Sequence, residues 1–262
     1  RELLRIGGYG SLGAMFAPQL AFAQGAGADP MANTAQFIER WVGPGKFPGI
    51  VASLGLPGQP TQFTMRGSEG FNDGDAVTPD SLFRIYSMTK PVTGMAAMLL
   101  VDEGRLGLDQ PLADILPKFA KMQVQVTPDG SLTDVRPAKV PITIRHLLTH
   151  TAGLGYIIVQ RGPLQKAFAE QGLGAGRITR LKVPIMGMTE GRSVTGLDQF
   201  CDRLAALPLV YEPGSKWSYS VGLDVIGRVI EVVSGMPFDQ FLKRSIFEPA
   251  GMTSTFFQVP AK

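Results

Sequence analysis

The stretch Leu82-Phe83-Arg84-Ile85-Tyr86-Ser87-Met88-Thr89-Lys90 leads into a run where Val92, Met95, Ala96, Leu99 and Leu100 recur at three- and four-residue steps, closing at Gly104. This periodicity predicts a helix with a glycine stop, its first turn carrying Ser87 and Lys90. Residues three apart on a helix share a face, so Lys90 can reach Ser87 Oγ. The helix N-terminus adds partial positive charge, which favours a developing alkoxide and disfavours a protonated lysine. One turn of helix thus pairs a serine with a base. A serine cap followed by a solvated lysine would give the same tetrapeptide.

Upstream, Phe37 and Trp41 mark a helix over Met31 to Trp41. Ile50–Leu54 and Thr61–Arg66 read as strands joined by Leu56-Pro57-Gly58-Gln59-Pro60, and Asp73-Gly74-Asp75 turns the chain again. Downstream, Thr127-Pro128-Asp129-Gly130 predicts a small hairpin between 123–126 and 132–135. Thr143 can cap a helix carrying Ile144, Leu147 and Leu148. Residues 155–196 are glycine-rich, with a short helix near 164–171, and read as a mobile connection over the site. Leu223, Ile226, Val229, Ile230 and Val233 give an amphipathic helix closed by Gly235, and Pro237 opens another helix at its first position. A lone two-stranded hairpin is not a stable sheet, so the expectation is of a chain stopping before the last strands.

The 262 residues are 44% hydrophobic and 18% charged, enough apolar material for one substantial core. Gly (32) and Pro (20) make up about a fifth, which indicates many tight turns rather than disorder. A net charge of +3 with scattered Lys and Arg speaks against a nucleic-acid partner. The single Cys201 excludes an internal disulfide and sits in a helical apolar pattern, as a small hydrophobe does. His146 and His150 stand four apart on an expected helix, but no third ligand is evident, so no metal and no cofactor are expected. No G-x-S-x-G occurs, so the usual Ser-His-Asp esterase elbow is missing.

Residues 1–23 read as an export signal: Arg1-Glu2-Leu3-Leu4-Arg5, an uncharged stretch interrupted by glycines, then Ala21-Phe22-Ala23. A preceding arginine would make this start resemble a twin-arginine signal. A periplasmic or secreted protein without a stable membrane span is the expectation.

Four blocks carry a family resemblance. They are Leu82–Lys90 with Gly104-Arg105-Leu106-Gly107-Leu108-Asp109-Gln110-Pro111, then Ile142–Leu154, then Tyr211-Glu212-Pro213-Gly214-Ser215-Lys216-Trp217-Ser218-Tyr219-Ser220, then Pro249-Ala250-Gly251-Met252. In this order they resemble the serine β-lactamase and penicillin-binding superfamily, and within it the family VIII carboxylesterases. The resemblance implies an α/β (α+β) fold, an antiparallel sheet flanked by helices with an inserted helical domain. Residues 24–262 would form the catalytic domain: 24–84 in the α/β part, 85–210 mostly helical, 211–262 returning toward the α/β part.

By the same resemblance Ser87 is the nucleophile, Lys90 shares or removes its proton, and Tyr219 is the tyrosine of a Y-x-N motif. Half of the oxyanion hole would come from a late strand beyond Lys262, beside the N–H of Ser87. Tyr156 and Val221 are the candidate substrate-binding residues. Val221 replaces the asparagine that meets the polar side chain of a β-lactam, which favours an ester substrate. The alternatives are a β-lactamase, a D-alanyl-D-alanine carboxypeptidase, or a non-enzymatic peptidoglycan- or ligand-binding homologue. Oligomeric state is not legible.

Overall fold

A computed structural model describes residues 29–72, 74–174 and 194–258. The expected export signal, Asp73 of the early turn and residues 175–193 of the glycine-rich connection lie outside them. The chain divides into two compact units, Arg1–Arg84 and Ile85–Lys262.

In the first unit, helix α1 (Ala32–Trp41) precedes strands β1 (Gly49–Leu54) and β2 (Gln62–Gly67). The strands pair antiparallel, Ile50 opposite Arg66 and Ser53 opposite Phe63. The hairpin turns at Gly58, whose φ of 72° suits a residue without Cβ. Among the described residues of this unit, Met31, Ile38 and Val77 are the buried apolar ones.

Among its described residues the second unit is mostly helical, with one small antiparallel sheet. A 3₁₀ turn, Tyr86–Met88, runs into α2 (Thr89–Asp102). The short strands β3 (Gln123–Gln125) and β4 (Val135–Pro137) pair antiparallel, and β4 begins later than the sequence pattern predicts. Then come α3 (Ile144–Leu148), α4 (Gly162–Glu170), α5 (Leu197–Ala205), α6 (Gly222–Ser234) and α7 (Phe238–Leu242). Pro237 is the residue before α7 rather than its first, and a π turn, Lys243–Phe247, prolongs that helix. Mixed α/β architecture with small antiparallel sheets is therefore the observed class.

The core of this unit forms around α6. Its Val225, Ile226, Val229 and Ile230 are fully buried, and Gly235 ends it in the left-handed conformation, φ 74°, its N–H donating to Glu231 O at 2.9 Å. Helix α2 packs on α6 through Thr93, Ala96, Ala97 and Leu100. The predicted stripe holds at Val92, Ala96, Leu99 and Leu100, but Met95 is 50% exposed and lies off the packed face. Helix α3 meets α6 at Gly222, where a Cβ would stand 2.6 Å from the Leu147 carbonyl oxygen. Only glycine lets α6 begin there.

The connection over 155–174 is not an open loop. Ile157, Leu164, Phe168 and Leu173 are buried in the core, so apolar burial fixes a segment that its glycines alone suggested was loose. No described helix is long and apolar enough to cross a membrane.

Candidate active site

Ser87 is exposed in the middle of the 3₁₀ turn at the head of α2. Tyr86 before it has φ 42°, a left-handed conformation costly for a side chain of that size. The strain is held locally by Met88 N–H donating to Ile85 O at 2.9 Å. Lys90, one turn on, donates from Nζ to Ser87 Oγ at 3.2 Å.

Tyr219 arrives from irregular backbone between the turn at 213–215 and α6. Its hydroxyl donates to Ser87 Oγ at 2.9 Å, and Lys90 Nζ lies 5.0 Å from its ring centre. Burial by itself would raise the Tyr219 phenol. The Lys90 ammonium, by hydrogen bond and charge, and the Ser87 hydroxyl outweigh burial and hold the phenol below its usual value. Two groups from distant segments, Lys90 Nζ and Tyr219 OH, thus converge on the Ser87 oxygen.

Tyr156 stands behind Tyr219, ring centres 5.5 Å apart. It is buried, and burial pushes its phenol up to about 12, so it stays protonated. Two chemically alike rings in contact are therefore driven apart in acidity by their surroundings.

Val221 does not sit where the sequence places it. Its side chain is 2% exposed and packs in the core at the start of α6. The backbone turns there to begin the helix, which carries the side chain inward, so Val221 is not an open wall of the site. Its neighbour Asp224, in the first turn of α6, lines a cavity of about 830 Å³ with Lys90, Thr89, Tyr86 and Leu223. Surrounding protein raises the Asp224 carboxyl, while the Lys90 charge opposes that rise.

The two histidines do not share a helix. His146 lies in α3, where it completes a capping box: Thr143 N–H donates to His146 Nδ1, and His146 N–H to Thr143 Oγ1, both at 3.3 Å. His150 lies past the helix end with φ 56°. Its Nδ1 accepts the Ser220 N–H at 3.2 Å, and its ring lies 4.8 Å from that of Tyr219. Sequence reasoning weighed His150 only as a metal ligand. Its partner is 70 residues away, and no local pattern announces the contact. Cys201 is buried on α5, and burial pushes its thiol up to about 12, an inert form.

Glu212 anchors the approach to Tyr219. Its carboxylate accepts from Arg136 Nη1 at 2.5 Å, from Lys139 N–H at 2.5 Å and from Val140 N–H at 3.2 Å. Burial opposes ionisation, but these donors prevail and hold the carboxyl below the usual range.

With this geometry in place, the family profile described as Beta-lactamase matches residues 34–262. The chain belongs to the beta-lactamase family. Esterase EstB of Burkholderia gladioli is 33% identical to this beta-lactamase-family chain over 213 residues, 79% of the chain and 47% of EstB. An uncharacterized protein of Mycobacterium tuberculosis is 38% identical over 195 residues, 73% of the chain and 44% of its own length. Among solved structures, the chain is similar to EstCE1, a hydrolase with promiscuous acyltransferase activity. The TM-score is 0.62 with 28% identity, covering 84% of this chain and 51% of EstCE1. The unliganded simvastatin synthase LovD from Aspergillus terreus superposes with a TM-score of 0.60 and 26% identity, covering 86% of this chain and 53% of LovD. The chain spans about half the length of the curated relatives it matches.

Proposed function

We propose that the protein is a serine hydrolase that cleaves carboxylic esters through an acyl-enzyme on Ser87. The observation that carries this reading is the convergence of Lys90 Nζ and Tyr219 OH on Ser87 Oγ, at 3.2 and 2.9 Å. In the reactive form Tyr219 is a phenolate, stabilised by the Lys90 ammonium. Ser87 Oγ attacks the ester carbonyl carbon and its proton passes to the Tyr219 oxygen. The tetrahedral oxyanion develops near the positive end of α2. As it collapses, the carbon–oxygen bond to the alcohol breaks, and Tyr219 returns its proton to the leaving oxygen. Water then attacks the acyl carbon, Tyr219 takes the water proton, and Ser87 leaves with a proton restored.

An ester is favoured over a β-lactam by the likeness to Esterase EstB, since Val221 is buried and no longer bears on that choice. No step calls on a metal or organic cofactor. The test compares kcat/KM for short-chain p-nitrophenyl esters and for nitrocefin in the full-length protein, with Ser87→Ala as control. Faster ester cleavage that disappears in Ser87→Ala supports the reading. Preference for nitrocefin would overturn the substrate class, and esterase activity in Ser87→Ala would overturn the nucleophile.

A further inference from the structure

His150 touches four consecutive residues around Tyr219. Its carbonyl oxygen accepts the Ser218 N–H at 2.9 Å. Its Nδ1 accepts the Ser220 N–H at 3.2 Å and stands 3.2 Å from Ser220 Oγ, which in turn accepts the Gly222 N–H at 3.3 Å. The imidazole ring meets Tyr219 at 4.8 Å and Trp217 edge-on at 6.1 Å. Because Nδ1 accepts a backbone N–H, the proton of the neutral ring sits on Nε2. The backbone pays for this placement with a φ of 56°, unusual outside glycine.

We propose that His150 is the positioning residue of Tyr219, clamping the residues on both sides of it so that the phenol stays at Ser87 Oγ. The proposal rests on Tyr219 being the acid/base group of the reaction. Ser220 is 1% exposed, so without an acceptor at Nδ1 its N–H has no water to turn to. The segment would then shift, and misplacement by about 1 Å at a reacting group costs roughly 100-fold in rate.

The clamp also has a defined charge state. Burial first, and then the Lys90 ammonium, hold the His150 imidazole below its usual value. Lys90 faces it from α2 and Tyr219 from its own segment, with Tyr156 and Asp224 acting beyond Tyr219. At neutral pH the ring is uncharged and Nδ1 is free to accept. In acid, Nδ1 gains a proton and faces the Ser220 N–H donor to donor.

The experiment uses the full-length protein and two substitutions. In His150→Asn, Oδ1 replaces Nδ1 as acceptor, and asparagine tolerates the left-handed conformation. In His150→Leu the bulk is retained and the acceptor is lost. Expected is a kcat for His150→Leu lower by about 100-fold with KM little changed, while His150→Asn stays within about tenfold of wild type. Expected too is an acid limb in the wild-type kcat profile, below the usual imidazole value, that is missing in His150→Asn. Equal kcat in the two variants, or an acid limb unmoved by His150→Asn, overturns the proposal. Should His150→Leu fail to fold, the profile of His150→Asn against wild type decides. Tyr219→Phe is assayed alongside: if it remains active, the reading of Tyr219 fails. If it is inactive while the His150 variants match each other, only the positioning role fails.

Discussion

The hydroxyl of Tyr219 stands 2.9 Å from Ser87 Oγ, although 132 residues separate them along the chain. Two local devices make the meeting. The 3₁₀ turn at the head of α2 lifts Ser87 out, and Gly222 lets α6 start close under α3, which sets the segment carrying Tyr219. Tyr219→Phe keeps the ring contacts with His150 and Tyr156 and removes only the oxygen. Ester kcat should fall by about 100- to 10,000-fold, the span of general acid–base catalysis, with the melting temperature nearly unchanged. A variant within threefold of wild type would remove Tyr219 from the proton path.

The two phenols should titrate apart. Tyr219 is held below the usual phenol value and Tyr156 is pushed up to about 12. Ultraviolet titration of wild type minus Tyr219→Phe should isolate a step below 10, the ordinary phenol value. In the proposed mechanism the phenolate is the working base, so kcat/KM should rise with pH through that step. Lys90→Met should move the step upward. A Tyr219 step at or above 10 would contradict the electrostatic role given to Lys90.

Val221→Asn places an amide in the apolar core at the start of α6. Leaving that amide unpaired should lower stability by about 1–3 kcal/mol, with little change in the ratio of nitrocefin to ester turnover. Thermal denaturation and the two kcat/KM values check this. A large rise in the ratio without loss of stability would restore Val221 as a substrate contact.

Glu212 is a stability element with a definite pH sign. Its side chain is 17% exposed and accepts three hydrogen bonds, which hold its carboxyl below the usual carboxylate range. A carboxyl depressed in the folded state stabilises above the unfolded value and loses that contribution as pH falls through the folded one. Glu212→Gln should therefore cost about 1–3 kcal/mol at pH 7 and less near pH 3, read from denaturant midpoints. A cost that grows toward acid would contradict the sign.

Sequence carried a large part of this account because its strongest signals are local. The Ser87–Lys90 spacing, the stripe over 223–230 and the Gly235 stop each lie within a few turns of helix, and the structure shows the corresponding turn, stripe and cap. The illegible parts depend on partners far along the chain. His150 meets Ser218 and Ser220, and a pattern of neighbours at positions 146–154 says nothing of them. Val221 is placed by the sequence only through a Y-x-N motif, and its burial follows from the direction in which α6 starts. On α2 the expected stripe holds at Val92, Ala96, Leu99 and Leu100, and only Met95 departs from it, because periodicity counts methionine as apolar whatever its packing.

The central claim is that Ser87 is the nucleophile, and covalent labelling tests it most directly. The full-length protein is treated with a fluorophosphonate, digested with trypsin and mapped by mass. We expect one adduct per chain, on the peptide carrying Ser87, none in Ser87→Ala, and labelling slowed by about 100-fold in Tyr219→Phe. An adduct on a different serine, with Ser87→Ala still labelled and still cleaving esters, would contradict the account.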